Sequence, residues 1–159
     1  MIAICEMAGS SPLAERIVRA ARGLVGVRFV HQGRDPAIGL DCVGVAIGAA
    51  RACGLSVLDR EGYGRAPGDD HAQTGLIAVI AAQPCLRRVQ RPPAAGDLLI
   101  MQFARVPHHV AICGGDTVIH ALGGSIGRCV EHPIDATWRR RIVGVAEFVE
   151  RGALALGAA

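Results

Sequence analysis

Apolar residues recur three and four positions apart near the start of the chain, a spacing typical of a helix with one buried face. Ser11 suits the N-cap of this helix, Pro12 suits its first position, and Gly26 is expected to end it. Its predicted buried stripe consists of Leu13, Ile17, Ala20, Ala21 and Leu24.

A second helix is predicted over residues 42–53, because Asp41 can cap its start and Gly54 can end it. This segment is apolar on nearly all sides, with Arg51 as its single charged residue, so the helix should lie at the centre of the fold. A third helix is predicted over residues 71–82.

The second half of the chain has a different pattern, in which short apolar runs of β character alternate with turn signals. Six strands are predicted, at residues 85–90, 97–103, 109–114, 116–121, 127–131 and 141–149. Because helices come first and strands second, the expected fold class is α+β, with N-terminal helices packed on a C-terminal antiparallel sheet.

Two histidines fall in consecutive predicted strands joined by Gly114-Gly115, a favoured dipeptide for a two-residue hairpin turn. That turn would place His109 directly opposite His120, on one face of the sheet and close enough for their rings to share a hydrogen bond. A three-residue loop would place His108 opposite His120 instead. The two-residue turn is favoured, since it leaves the apolar Val110 free to pack under the helices.

Length, hydrophobic fraction and net charge limit the classes of protein to which the chain can belong. At 159 residues with 51% hydrophobic residues, the chain is expected to form one folded domain, with a core over about residues 11–148 and tails at 1–10 and 149–159. A net charge of +3 gives no reason to expect a nucleic-acid partner. No membrane span or signal peptide is indicated, which predicts synthesis in the cytoplasm.

The six cysteines contain no Cys-x-x-Cys pair, so neither a zinc ribbon nor a dithiol redox motif is indicated, and most are interpreted as buried, reduced thiols. Cys42 differs because it lies in the first turn of the second predicted helix. With His109 and His120 it supplies the parts of cysteine-nucleophile acyl transfer. The helix dipole and an imidazolium are expected to lower its pKa. A zinc site that also includes Cys113 is the alternative.

Three stretches resemble the NlpC-type papain-like cell-wall endopeptidases: "ARGLVGVRFVHQGRDPAIGLDCVGVAIGAARACGL", "PPAAGDLLIMQF" and "HHVAICGGDTVIHA". Their order and spacing agree with that family over about residues 11–148. The "HQGR…DC" wording and the "WRRRIVGVAEF" ending are similar to the branch found in bacteriophage tails and gene-transfer-agent particles.

The resemblance implies a cysteine peptidase that cuts the stem peptide of peptidoglycan through a thioester and needs no cofactor. It makes Cys42 the nucleophile, His109 the general base and then acid, and His120 the residue that orients His109. Tail or hub proteins of a phage-like particle are the implied partners, and they would deliver the enzyme to the periplasm or cell wall.

Four residues near these positions are expected to contact substrate: Phe29, His31, Asp41 and His108. Phe29 stands where the family often has tyrosine, and Val43 replaces the small residue that usually follows the cysteine. Two other functions stay open: a thiol amidase or acyltransferase on another substrate, and a structural tail component with a vestigial site. His71 and His132 are expected to be surface or turn residues, and residues 139–141 a solvated strand start.

Overall fold

The computed structural model describes residues 11–59 and 75–150. The elements in chain order are α1 (Pro12–Arg22), β1 (Arg34–Asp35), β2 (Gly39–Leu40), α2 (Cys42–Ala52), α3 (Gly75–Ala81), β3 (Leu86–Val89), β4 (Leu98–Met101), β5 (His109–Cys113), β6 (Thr117–Leu122), β7 (Arg128–Pro133), α4 (Ala136–Arg141) and β8 (Ile142–Phe148). None of the helices in these ranges is long and apolar enough to cross a membrane.

Six of the strands form one sheet in the order β3-β8-β4-β5-β6-β7, and each neighbouring pair is antiparallel. The predicted α+β class and all six predicted strands are therefore confirmed. The short pair β1-β2 was not predicted. The third helix is found over Gly75–Ala81, while its predicted first residues, including His71, lie outside the described residues.

The first helix begins as predicted, because the Ser11 hydroxyl accepts a hydrogen bond from the N–H of Ala14 at 3.2 Å. It ends at Arg22, earlier than the predicted Gly26. Gly26 instead adopts a φ of 94° and donates its N–H to the Cys129 carbonyl at 2.9 Å. The segment after α1 is thus hydrogen bonded to β7 and does not continue the helix.

Both of the first two helices cover the same face of the sheet. Residues from α1 and α2 pack there against alternate residues of β5 and β6, so Val110 and Ile112 face the helices as predicted. The buried apolar residues of this layer include Ile17, Ala21, Leu40, Val45, Ala49, Val110, Ile112 and Ile119. The central position predicted for α2 is confirmed.

The opposite face of the sheet has its own, smaller core, formed by Leu99, Met101, Ala111, Cys113, Val118 and Val145. Its cover comes from α4 and the residues beside it, chiefly Trp138. Residues 139–141 end α4 and do not start a strand, so that part of the prediction is wrong, whereas Arg139 and Arg140 are exposed as predicted. Asp135 starts this helix by accepting the N–H of Trp138 at 2.9 Å.

The turn between β5 and β6 lies one residue later than predicted. Gly114 donates its N–H to the Thr117 carbonyl at 2.8 Å, so the two central turn residues are Gly115 and Asp116. Gly115 has a φ of 104°, which glycine adopts without strain. Gly114 belongs to the closing pair, where a Cβ would lie 2.1 Å from the Thr117 hydroxyl oxygen.

This turn changes the register of the hairpin by two residues. Cys113 pairs with Val118, and continuing that register places Ala111, not His109, opposite His120. The predicted direct pairing of His109 with His120 is therefore wrong. Because the change is an even number of residues, both histidines remain on the same face of the sheet.

The turn before β4 depends on the absence of a side chain at Gly96. This residue has a φ of 89°, and a Cβ there would lie 2.6 Å from the backbone of Ala14 in α1. Gly96→Ala should therefore lower the free energy of unfolding by about 2–4 kcal/mol, from the positive φ together with the collision. Urea unfolding of the purified protein measures this loss.

Gly54→Ala is the matched control, since Gly54 also has a positive φ, of 76°, but a Cβ there would meet no atom within 4 Å. That variant should lose only about 1 kcal/mol. Equal losses in the two variants would show that the contact between the turn and α1 is unimportant.

Candidate active site

Cys42 is the first residue of α2, where the cap and the helix packing together fix its position. Asp41 caps the helix by accepting the N–H of Gly44 at 2.8 Å. The half-buried Cys42 packs against the helix-side core, and the backbone N–H groups of Val43 and Val110 point at its sulfur. The sulfur thus lies against the His109–Val110 peptide at the start of β5.

The thiol of Cys42 is neutral at neutral pH. Burial, together with the smaller effect of the Asp41 carboxylate, raises the pKa of Cys42 to about 12. The N–H groups of Val110 and Val43 and the charge of Arg34 lower the pKa by less. The expected lowering of this pKa is therefore wrong for the resting protein, because desolvation outweighs the helix terminus.

His109 is hydrogen bonded to His120, with 2.8 Å between its Nε2 and the Nδ1 of His120. Its side chain is only 7% exposed, and the ring of Phe103 meets it edge-on with centroids 5.2 Å apart. Burial lowers the pKa of His109, and the charge of His108 acts in the same direction. His109 is therefore a neutral imidazole at neutral pH.

His120 is fully buried in the second core, where the ring of Trp138 packs against it at 5.1 Å. Burial lowers the pKa of His120, with smaller contributions from the charges of His109, His132 and Arg141. Its Nε2 lies 2.9 Å from the Nε2 of His132. Both ring nitrogens of His120 are thus engaged with another histidine.

The expectation that His132 is a surface or turn residue is wrong. His132 belongs to β7 and is half-buried under the Trp138 ring, with centroids 4.5 Å apart. Its Nδ1 donates to the carbonyl of Pro133 at 3.0 Å. The available signal was its spacing from Val130, since period-2 alternation puts the two on one face once the predicted strand, which ended at residue 131, is extended by one residue.

His108 has a different environment from His109. Its Nδ1 donates to the carbonyl of Val106 at 2.9 Å, and its ring lies 5.5 Å from the ring of Phe103. The structure therefore joins His109, and not His108, to His120. This geometry favours His109 as the base and leaves His108 half-buried beside it.

Asp41 also holds the loop that precedes α2. Its carboxylate accepts the N–H of Gln32 at 2.9 Å and a hydrogen bond from Arg34 at 3.0 Å, and the residue is only 3% exposed. Gln32 has a φ of 57°, the one positive value outside glycine in the described residues. These contacts favour a positioning role for Asp41 over the substrate contact predicted for it.

The remaining two predicted substrate contacts are His31 and Phe29. His31 is half-buried, with its Nε2 3.4 Å from the side-chain nitrogen of Gln32. The ring of Phe29 lies against Gly123, just after β6, where a Cβ would come within 3.3 Å of the ring. Both substrate contacts stay predictions.

The cysteines of the described ranges, Cys42, Cys53, Cys85, Cys113 and Cys129, are all free thiols. Cys113, considered as a zinc ligand, lies at the far end of β5 from His109 and donates to the carbonyl of Gly115 at 3.4 Å. Within residues 11–59 and 75–150, no group of three or more His, Cys, Asp or Glu side chains could hold a metal ion.

The model of the NlpC/P60 family matches residues 26–147. The chain belongs to the NlpC/P60 family. The matched range contains α2, both strands of the histidine hairpin and β7, so it includes every side chain of the candidate site. The match is to the family as a whole, and the phage-tail branch stays a prediction.

Solved structures of this family share the fold. The chain is 19% identical to a Staphylococcus aureus protein described as similar to lipoprotein, with a TM-score of 0.57 over 89% of this chain and 43% of that one. It is 21% identical to the peptidoglycan hydrolase RipB from Mycobacterium tuberculosis, with a TM-score of 0.55 over 87% and 65% of the two chains.

The NlpC/p60 domain of the peptidoglycan hydrolase SagA is 24% identical, with a TM-score of 0.50 over 84% of this chain and 97% of that domain. At these identities the likeness concerns the fold alone. The chain spans less than half of the Staphylococcus aureus protein. A comparison with curated proteins found no match.

The neutral state of the thiol can be tested by alkylation. Because the pKa of Cys42 is raised and that of His109 is lowered, the rate of Cys42 alkylation by iodoacetamide should rise continuously between about pH 5 and 9. Mass spectrometry of the labelled peptides measures this rate. Cys53, at the other end of α2, serves as the internal reference.

A plateau in the Cys42 rate below about pH 7 would contradict this expectation, because a preformed thiolate–imidazolium pair reacts at a constant rate between its two pKa values. Loss of such a plateau in His109→Gln would identify His109 as the partner of the thiolate.

Proposed function

We propose that this NlpC/P60 protein is a cysteine peptidase that hydrolyses amide bonds in the stem peptide of bacterial peptidoglycan. The observation that carries the proposal is the His109–His120 hydrogen bond at the start of β5, where the Cys42 sulfur lies against the backbone. The choice of substrate is supported by two structures of similar fold, SagA and RipB, which are peptidoglycan hydrolases.

In the first step, the Cys42 sulfur attacks the carbonyl carbon of the scissile amide. Because the thiol is neutral, its proton passes to His109 as the carbon–sulfur bond forms. The carbonyl π electrons move onto oxygen, and backbone N–H groups in the first turn of α2 stabilise the resulting oxyanion.

In the second step, the tetrahedral intermediate collapses to a thioester. The carbon–nitrogen bond breaks, and protonated His109 gives its proton to the leaving amine. His109 then removes a proton from water, whose oxygen attacks the thioester carbon. Collapse of this second intermediate releases the carboxylic acid and returns the proton to the Cys42 sulfur.

Digestion of purified sacculi tests the activity and the nucleophile together. The wild-type protein should release new muropeptides, each cut yielding one free amine and one carboxylate, which chromatography with mass spectrometry detects. Cys42→Ala should lower the rate at least about 10³-fold, because no other group in the site can form the thioester.

Cys53→Ala is the matched control, since Cys53 lies at the opposite end of α2 from the site, and it should digest sacculi at the wild-type rate. Absence of cleavage by the wild type would contradict the peptidase and favour another acyl substrate or a structural role. Equal cleavage by Cys42→Ala would show that Cys42 is not the nucleophile.

We also propose that the protein is made in the cytoplasm and reaches the wall in a phage-like particle, bound to tail or hub proteins. This rests on the "HQGR…DC" and "WRRRIVGVAEF" segments. Particles purified from the host by density gradient should contain the protein in stoichiometric amounts with tail components. Recovery of all of it outside the particle fractions would contradict the association.

A further inference from the structure

Three histidines form a continuous row across the second face of the sheet. His109 of β5 bonds to His120 of β6 over 2.8 Å, and His120 bonds to His132 of β7 over 2.9 Å. The row ends at the Pro133 carbonyl, 3.0 Å from the Nδ1 of His132. The proposed peptidase mechanism uses His109 and His120 and gives His132 no function.

The end of the row determines the direction of every hydrogen bond in it. A carbonyl oxygen can only accept, so the Nδ1 of His132 carries a proton, and in the neutral ring its Nε2 is the acceptor. The Nε2 of His120 must then donate, which leaves its Nδ1 to accept from the Nε2 of His109. The remaining nitrogen of the row, Nδ1 of His109, carries a lone pair.

We propose that His132 is a positioning residue that fixes the tautomer of His109, so that Nδ1 of His109 is always ready to take the proton of the Cys42 thiol. This inference rests on the proposed cysteine peptidase. In that reaction the base needs an unprotonated nitrogen on the side away from His120, and the row supplies it before substrate arrives.

Burial disfavours the opposite direction of hydrogen bonding along the row. Reversing the row would turn the Nδ1 lone pair of His132 toward the Pro133 carbonyl and leave that bond unmade. Flipping His120 alone would place two N–H groups against each other at one end of its ring and two lone pairs at the other. Trp138 packs on both His120 and His132 and prevents their rings from turning away.

Protonation of His132 would reverse the row. Both nitrogens of a charged His132 donate, so His120 would accept at Nε2 and donate from Nδ1, and His109 would carry its proton on Nδ1. The base would then be blocked. The other titratable or charged groups that face the row are His108, just before β5, and Arg141 of α4.

The tautomers can be read directly from long-range ¹H–¹⁵N spectra of protein labelled with [¹⁵N]histidine, assigned with single His→Gln variants. At neutral pH, His109 and His120 should carry their protons on Nε2, and His132 on Nδ1. Neutral His109 protonated on Nδ1 would overturn the proposal. This measurement needs no substrate, so it stands even if the protein does not cleave peptidoglycan.

Two variants of His132 separate a positioning role from a structural one. His132→Gln offers an amide oxygen as acceptor, so it should keep the His109 tautomer and retain kcat within about threefold. His132→Leu leaves the Nε2–H of His120 without an acceptor, so kcat should fall at least about tenfold with little change in KM.

Glu131→Leu is the control for general damage to β7. Glu131 lies on the opposite face of the same strand and pairs with Arg22 and Thr117, so its loss should lower the melting temperature without changing the tautomers or the pH profile. Equal kcat values for wild type, His132→Gln and His132→Leu would overturn the proposal, as would an unchanged His109 tautomer in His132→Leu.

Discussion

The packing of the first turn of α2 against the start of β5 is the contact on which the rest of the site depends. On its other side, α2 packs closely against the loop that contains Gly33. Gly44 allows this close packing, since a Cβ there would lie 2.2 Å from the carbonyl oxygen of Gly33. Asp41 stabilises the same region, because its carboxylate caps α2 and accepts a hydrogen bond from the N–H of Gln32. One buried carboxylate therefore fixes the helix start and the loop beside it, and both position Cys42.

Burial of the histidine row on the other face of the sheet sets its chemistry. Burial favours hydrogen bonding within the row, and both nitrogens of the fully buried His120 are engaged with other histidines. Desolvation lowers the pKa of His109 and His120 and raises that of Cys42. Cys42, His109 and His120 are thus uncharged in the resting protein, and in the proposed mechanism charge separates only when the sulfur attacks substrate.

Hydrophobic periodicity and cap chemistry are local, so the sequence was sufficient to predict the six strands, the central helix and the Asp41 cap. The register of the hairpin was not predictable in this way, because Gly114-Gly115 and Gly115-Asp116 are both good turn dipeptides. His132 was missed because it precedes Pro133, a turn signal, and only the pairing of β6 with β7 brings it beside His120. Such contacts depend on which strands pair over long distances in the chain, and a single sequence does not show that pairing.

The predicted contact between His109 and His120 is found despite the wrong register, because side chains along a strand alternate between the two faces of the sheet. A change of one residue would have placed His120 on the helix side of the sheet, whereas a change of two kept both histidines on one face.

The diagonal placement of His109 and His120 also suits their hydrogen bond better than direct opposition would. Opposite residues have Cβ atoms only about 5 Å apart, which crowds two rings that must meet edge to edge. The diagonal separation allows the nitrogens to approach to 2.8 Å with ring centroids 5.0 Å apart. The same offset recurs between His120 and His132, so one geometric step, repeated across three strands, generates the whole row.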